Sequence, residues 1–180
     1  RYRNLSRKRF ITKHKFLHYI PNEEDIVLCY NRSLNMGILP GSYTKGAGNM
    51  VGCLGEVAVE KYLRNAKYVG NQKFDYDFVY RKKNIEVKSK SCGGLPKGDY
   101  SAFINGKEDK LDKNDIHFFT RIKRDLSVVY LLGWLDNNSI KQKAIYRLKG
   151  DTDTDGYTFK SAGYQLLIKD LNKPSLIKKA

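Results

Sequence analysis

At 180 residues the chain is long enough for one domain with a substantial core, and a 41% hydrophobic content that includes 13 Tyr and 8 Phe excludes disorder over most of its length. A formal net charge of +15 sets up a positive field that attracts polyanions, nucleic acid foremost, while no long apolar run or lipidation signal points to a membrane. Cys29, Cys53 and Cys92 are too few and too far apart for a disulfide framework or a zinc site, so a cytoplasmic protein with reduced thiols and no signal peptide is expected.

Residues Arg1 to Ile20 carry seven Lys or Arg and no acid, interleaved with aromatics. They read as a basic arm with Arg7, Lys8 and Arg9 on phosphates, or as a solvated helix face or tail. His14 and His18 stand one helical turn apart but lack the Glu of an HExxH pattern, which disfavours a metal site there. Asn22, followed by Glu23, Glu24 and Asp25, caps a first predicted helix that runs through Leu34. Glycines and Pro40 between Gly37 and Gly48 mark a loop, which reads as a plain connector or, through Lys45, as a further contact for the DNA backbone. Asn49 is expected to cap a second helix to about Arg64, with Val51, Leu54, Val59, Tyr62 and Leu63 on its apolar side. Glu56 and Glu60 share a face of that helix. Gly52 and Gly55 each cost about 1 kcal/mol of helix stability relative to Ala, which points to close approach of another backbone.

The stretch from Phe74 to Lys90, FDYDFVYRKKNIEVKSK, predicts an antiparallel hairpin. With the turn centred between Lys82 and Lys83, Asp77 falls opposite Lys88, Phe78 opposite Val87, Val79 opposite Glu86 and Tyr80 opposite Ile85. One face is then apolar, and the other gathers Asp77, Glu86 and Lys88 within the roughly 4.5 to 8 Å of cross-strand neighbours. Two carboxylates this close resist joint ionisation and call for a cation; their oxygens suit Mg²⁺, which keeps waters and binds phosphate oxygens. Lys88 would orient the attacking water and offset charge on the phosphate. The alternative is a hairpin with a solvated charged face.

In Asp77, Glu86 and Lys88, with Glu56 on a preceding helix, the chain resembles the PD-(D/E)xK nuclease superfamily over about Gly46 to Trp134; Tyr76 replaces the family's nominal Pro before the Asp. The resemblance implies an α/β fold with a mixed central β-sheet flanked by helices, a restriction-endonuclease-like core. It implies a Mg²⁺-dependent DNA endonuclease that hydrolyses phosphodiester bonds with Glu56, Asp77, Glu86 and Lys88, Mn²⁺ serving as a substitute. The metal would be held by Asp77, Glu86 and the backbone carbonyl of Val87, with Glu56 acting through water and Glu60 in reserve. DNA is the implied partner, and a homodimer is allowed. A catalytically inactive nucleic-acid-binding protein of the same fold, or a Holliday-junction-type resolvase, are the alternatives.

Downstream, Ser91 to Gly98 reads as a flexible loop bordering a substrate groove, with Lys90 and Lys97 as DNA contacts. Strands are predicted over Asp99–Ile104, Asp115–Ile122 and Ser127–Leu135, the last nearly continuous in apolar residues and so interior to a sheet. His117 reads as a packed or edge residue of its strand. Asp151 to Gly156 copies the start of a calcium loop, but Ala162 stands where a bidentate Glu belongs, which leaves a turn-forming acidic loop. The run from Tyr164, YQLLI, predicts a strand or short helix before a basic tail.

Overall fold

The structure, a computed structural model, describes residues 10–13, 16–36, 48–69, 75–106, 111–154 and 156–179. Its strands are β1 (Phe10–Lys13), β2 (Phe16–Tyr19), β3 (Lys67–Tyr68), β4 (Phe78–Tyr80), β5 (Lys83–Cys92), β6 (Ser101–Asn105), β7 (Ile116–Lys123), β8 (Val129–Asp136), β9 (Ile145–Arg147) and β10 (Gly163–Leu167). Helices α1 (Glu23–Met36) and α2 (Asn49–Leu63) follow β2, and α3 (Asn137–Lys143) follows β8. The fold is α/β: a mixed seven-stranded sheet in the order β1-β2-β8-β7-β5-β4-β3, flanked by helices, beside a three-stranded sheet β6-β10-β9. Among the described residues no helix is long and apolar enough to cross a membrane.

Two apolar clusters lie on opposite faces of the large sheet. One joins Ile85, Val87, Phe118 and Ile122 to Cys53, Leu54, Val57 and Ala58 of α2; the other joins Phe119, Leu132 and Leu135 to Ile104 and Leu166 of the small sheet and Ile140 of α3. β7 is therefore buried on both faces, and its sequence IHFFTRIK shows little alternation for that reason. β5 and β7 pair in parallel, so the chain between them must cross over, and it carries β6 into the second sheet on the way.

The segment read as a basic arm is different where it is described. Its two strands form an antiparallel hairpin, and β2 joins the large sheet along β8. Phe16 and Tyr19 fall in opposite clusters, since strand residues three apart point to opposite faces and here both faces are covered. A spacing that fits one face of a helix thus belongs to a strand buried on both sides. Arg7, Lys8, Arg9, His14 and Lys45 lie outside the described residues.

Asn22 does cap α1: its Oδ1 accepts the Asp25 amide at 3.0 Å, and Asp25 Oδ2 accepts the Asn22 amide at 3.0 Å, a reciprocal capping box. Asn49, in contrast, is the first residue of α2 and not its cap. Gly48 takes the cap position with no side-chain hydrogen bond. The two glycines of α2 also differ. A Cβ built on Gly55 would lie 2.0 Å from Ser89 Oγ and 2.6 Å from Thr120 Oγ1, whereas one on Gly52 would meet nothing within 4 Å. The close approach is to side chains of β5 and β7, not to a backbone, and only Gly55 makes it.

Candidate active site

The β4–β5 hairpin turns one residue earlier than expected, which shifts the pairing register by two. Arg81 and Lys82 occupy the turn with φ of 50° and 65°, the left-handed geometry of a two-residue hairpin loop, and the pairs are Phe78 with Ile85, Val79 with Asn84 and Tyr80 with Lys83. A tight turn matches the strands' twist, which the longer polar connection would not. An even shift leaves every side chain on its original face, so Phe78, Tyr80, Ile85 and Val87 are buried as expected. What changes is Asp77's neighbour. It now lies alongside Glu86 and Val87 instead of Lys88, and its Oδ2 accepts the Val87 amide at 2.7 Å.

Because β4 pairs with residues 83–85, the same edge of β5 continues beyond it without a ladder partner on that side among the described residues. N–H and C=O of an extended residue point to the same edge, so the Val87 carbonyl lies on the side that Asp77 occupies. Burial, and after it the charges of Glu86 and Glu56, push the Asp77 carboxyl well above its ordinary range; the Val87 amide and Lys88 oppose them. Burial also pushes Glu56 up, opposed by a hydrogen bond that Tyr68 Oη donates to its Oε2 at 3.1 Å and by the Arg32 guanidinium, with Glu86 and Glu60 adding to the rise. Arg32 stacks 4.0 Å from the Tyr68 ring centroid, holding that hydroxyl against Glu56. Among the helix carboxylates it is Glu56, not Glu60, whose charge reaches Asp77.

Lys88 Nζ is ion-paired with Glu86 Oε1, its side chain 32% exposed. Across the parallel ladder Glu86 is the Cα partner of His117, which is 1% exposed and whose Nδ1 has no hydrogen-bond partner among the described residues. Burial and the Lys88 charge push the His117 imidazole down to about 3, with Asn137 opposing, so the ring is neutral at physiological pH. His117 is thus an interior residue at the back of the carboxylate group, not an edge residue.

No protein-family model matches the chain, and no curated protein is significantly similar to it. The assignment of chemistry therefore rests on the residues themselves.

Among the described residues, no three His, Cys, Asp or Glu side chains are grouped tightly enough to hold a metal ion, Glu86 being turned onto Lys88. The donor chemistry nevertheless fits a hard cation. Asp77 and Glu56 are carboxylates driven toward protonation by burial and by neighbouring carboxylates, Glu86 acting on both, and a divalent cation relieves both causes at once. Asp75, by contrast, is exposed and paired with Lys113 at 2.8 Å.

Of the predicted DNA contacts, Lys90 lies on β5 next to the site and Lys97 is exposed in the loop that follows, its Nζ 5.9 Å from the Tyr100 ring. Tyr68, Arg32 and Arg121 are additions that the sequence did not flag, and His117 was read there only as a packed or edge residue. Each gains its place through a partner at least twelve residues distant, and no local spacing marks it.

Proposed function

We propose that this protein is a Mg²⁺-dependent DNA endonuclease, a hydrolase that cleaves phosphodiester bonds and works with Mn²⁺ as a substitute. The observation that carries the reading is that the charges of Glu56 and Glu86 both reach buried Asp77, beside the Glu86–Lys88 ion pair of β5, on a chain of net charge +15. The same residues carry the likeness to PD-(D/E)xK nucleases. Asp77, Glu86 and the Val87 carbonyl would hold the cation, with Glu56 behind them, and the cation would supply Lewis acidity and neutralise charge building on the phosphate. Glu86 would then be shared between the metal and Lys88, and Lys88 would orient the water and stabilise the developing charge through its ammonium. Tyr68 and Arg32 hold Glu56 in place. Neutral His117 adds no cation behind Lys88.

One observation favours a second reading. In this structure Lys88 already neutralises Glu86, as it would in a nucleic-acid-binding protein that cleaves nothing. Incubating supercoiled plasmid with the protein in Mg²⁺, in Mn²⁺ and in EDTA separates the two. Nicking or linearisation with metal, lost in Asp77→Asn, supports the nuclease; retarded but intact plasmid under all three conditions supports the binding protein.

A further inference from the structure

A cavity of about 580 Å³ opens beside Lys88, between the N-terminal end of α2, strands β5 and β7, and the small sheet. Its volume is in the range of sites that enclose small organic ligands, roughly 300 to 1,000 Å³. The charged side chains lining it among the described residues are Lys88, Lys90 and Arg121, with no acid. Lys90 and Arg121 are Cα partners across the β5–β7 ladder. Arg121 is 7% exposed, donates to the Ser101 carbonyl and has no carboxylate partner among the described residues. Asp153, whose charge reaches Lys90, is engaged by the Tyr157 amide at 2.9 Å. Adjacent cations held this way in a partly desolvated groove are costly unless an anion joins them.

The opposite wall is aromatic. Phe103 and Phe159 lie 5.2 Å apart and tilted, Tyr157 meets Phe159 edge-on at 5.3 Å, and Lys90 Nζ stands 5.6 Å from the Tyr157 ring centroid. Tyr157 is 48% exposed, so its ring is available to a ligand. The acidic loop at Asp151–Gly156 has a structural use here: Asp151 and Asp153 accept the amides of Leu148 and Tyr157, and the bridge between Thr152 and Thr158 presents Tyr157 and Phe159 to the cavity.

We propose that this groove takes an unpaired stretch of DNA, with phosphate on Lys90 and Arg121 and a base against the aromatic wall, and that the substrate of the neighbouring centre is therefore single-stranded or locally unpaired. The pairing of cations with the exposed Tyr157 ring is what selects it. A duplex offers phosphates but keeps its base faces stacked, whereas every unpaired base presents a π-face, and one base–aromatic stack is worth roughly 5- to 150-fold in affinity. The substrate assignment rests on the nuclease reading, but the groove can be tested apart from it. In EDTA, fluorescence anisotropy should show a labelled single-stranded oligonucleotide binding at least about 5-fold tighter than the same sequence as a duplex. Tyr157→Ala should weaken the single strand by roughly 5- to 150-fold and the duplex little, and Tyr157→Phe should restore it. Equal affinity for the two forms, or equal weakening of both by Tyr157→Ala, overturns the proposal. A single-strand preference in EDTA without any cleavage in Mg²⁺ would keep the groove and sink the nuclease. Cleavage of duplex plasmid without the preference would do the reverse.

Discussion

Lys88 and Glu86 neutralise one another, while Asp77, across the hairpin from them, has among the described residues only the Val87 amide as donor to its carboxylate. The proposed chemistry follows from this asymmetry. Replacing Lys88 by Ala removes the group assigned to the water and the transition-state charge but frees Glu86 for metal. The expected outcome is DNA and Mg²⁺ binding near wild type with cleavage reduced about 10²- to 10⁴-fold, read in single-turnover assays. Wild-type cleavage would remove Lys88 from the mechanism. Asp77→Asn and Glu86→Gln should each weaken Mg²⁺ or Mn²⁺ binding by calorimetric titration, whereas Asp75→Asn, which loses only a surface pair with Lys113, should not. Metal loss in the Asp75 variant alone would move the site two residues earlier.

At the scale of elements, α2 reaches the sheet only because Gly55 lets Ser89 and Thr120 close a 2.8 Å hydrogen bond beneath it. Gly55→Ala should cost about 1–3 kcal/mol through overpacking, outweighing a helix-propensity gain of about 1 kcal/mol. Gly52→Ala meets no neighbour and should stabilise by up to about 1 kcal/mol, so urea unfolding should shift in opposite directions for the two variants. A second junction ties β2 to both long helices: Asp25 accepts from Tyr19 Oη, from the Asn22 amide and from Lys61 Nζ, and Lys61 also donates to Tyr19 Oη at 3.1 Å. Burial alone would raise the Asp25 pKa, but hydrogen bonds from Lys61, Tyr19 and Asn22 and the Lys61 charge hold it below the ordinary 3.8. As pH falls the unfolded chain takes this proton first, so the carboxylate's contribution is complete above 3.8 and is lost as pH falls through the lower folded value. Asp25→Asn should lose about 1–3 kcal/mol near neutral pH, a figure kept small because Lys61 is 39% exposed. The gap from wild type should narrow as pH falls below 3.8 in unfolding titrations.

Over the whole molecule, the charge excess predicts DNA affinity that falls with salt, with a log–log slope near −0.9 for each phosphate contact on duplex. Since β1 belongs to the large sheet, the deletion that tests the basic N-terminal residues should remove Arg1 to Arg9 and stop before Phe10. If Arg7, Lys8 and Arg9 lie on phosphates, the slope should flatten by about one unit per lost contact while the melting temperature holds. An unchanged slope would leave phosphate binding to the groove cations.

Strand runs, the Asn22 cap and the facing of Asp77, Glu86 and Lys88 were legible in the sequence because they depend on local periodicity. A register error of two residues could not disturb that facing, since the strand period is also two. Partner choice between distant segments was not legible. The parallel pairing of β5 with β7 sets His117 behind Glu86 and Arg121 beside Lys90; the small sheet turns an acidic loop into the wall of a groove; and Phe10–Lys13 and Phe16–Tyr19 become strands. These outcomes depend on which apolar faces cover one another across the whole chain. The sequence by itself determined which residues are candidates for the proposed chemistry, and the tertiary structure decided what surrounds them, because burial is settled by the sum of long-range contacts and not by any one stretch.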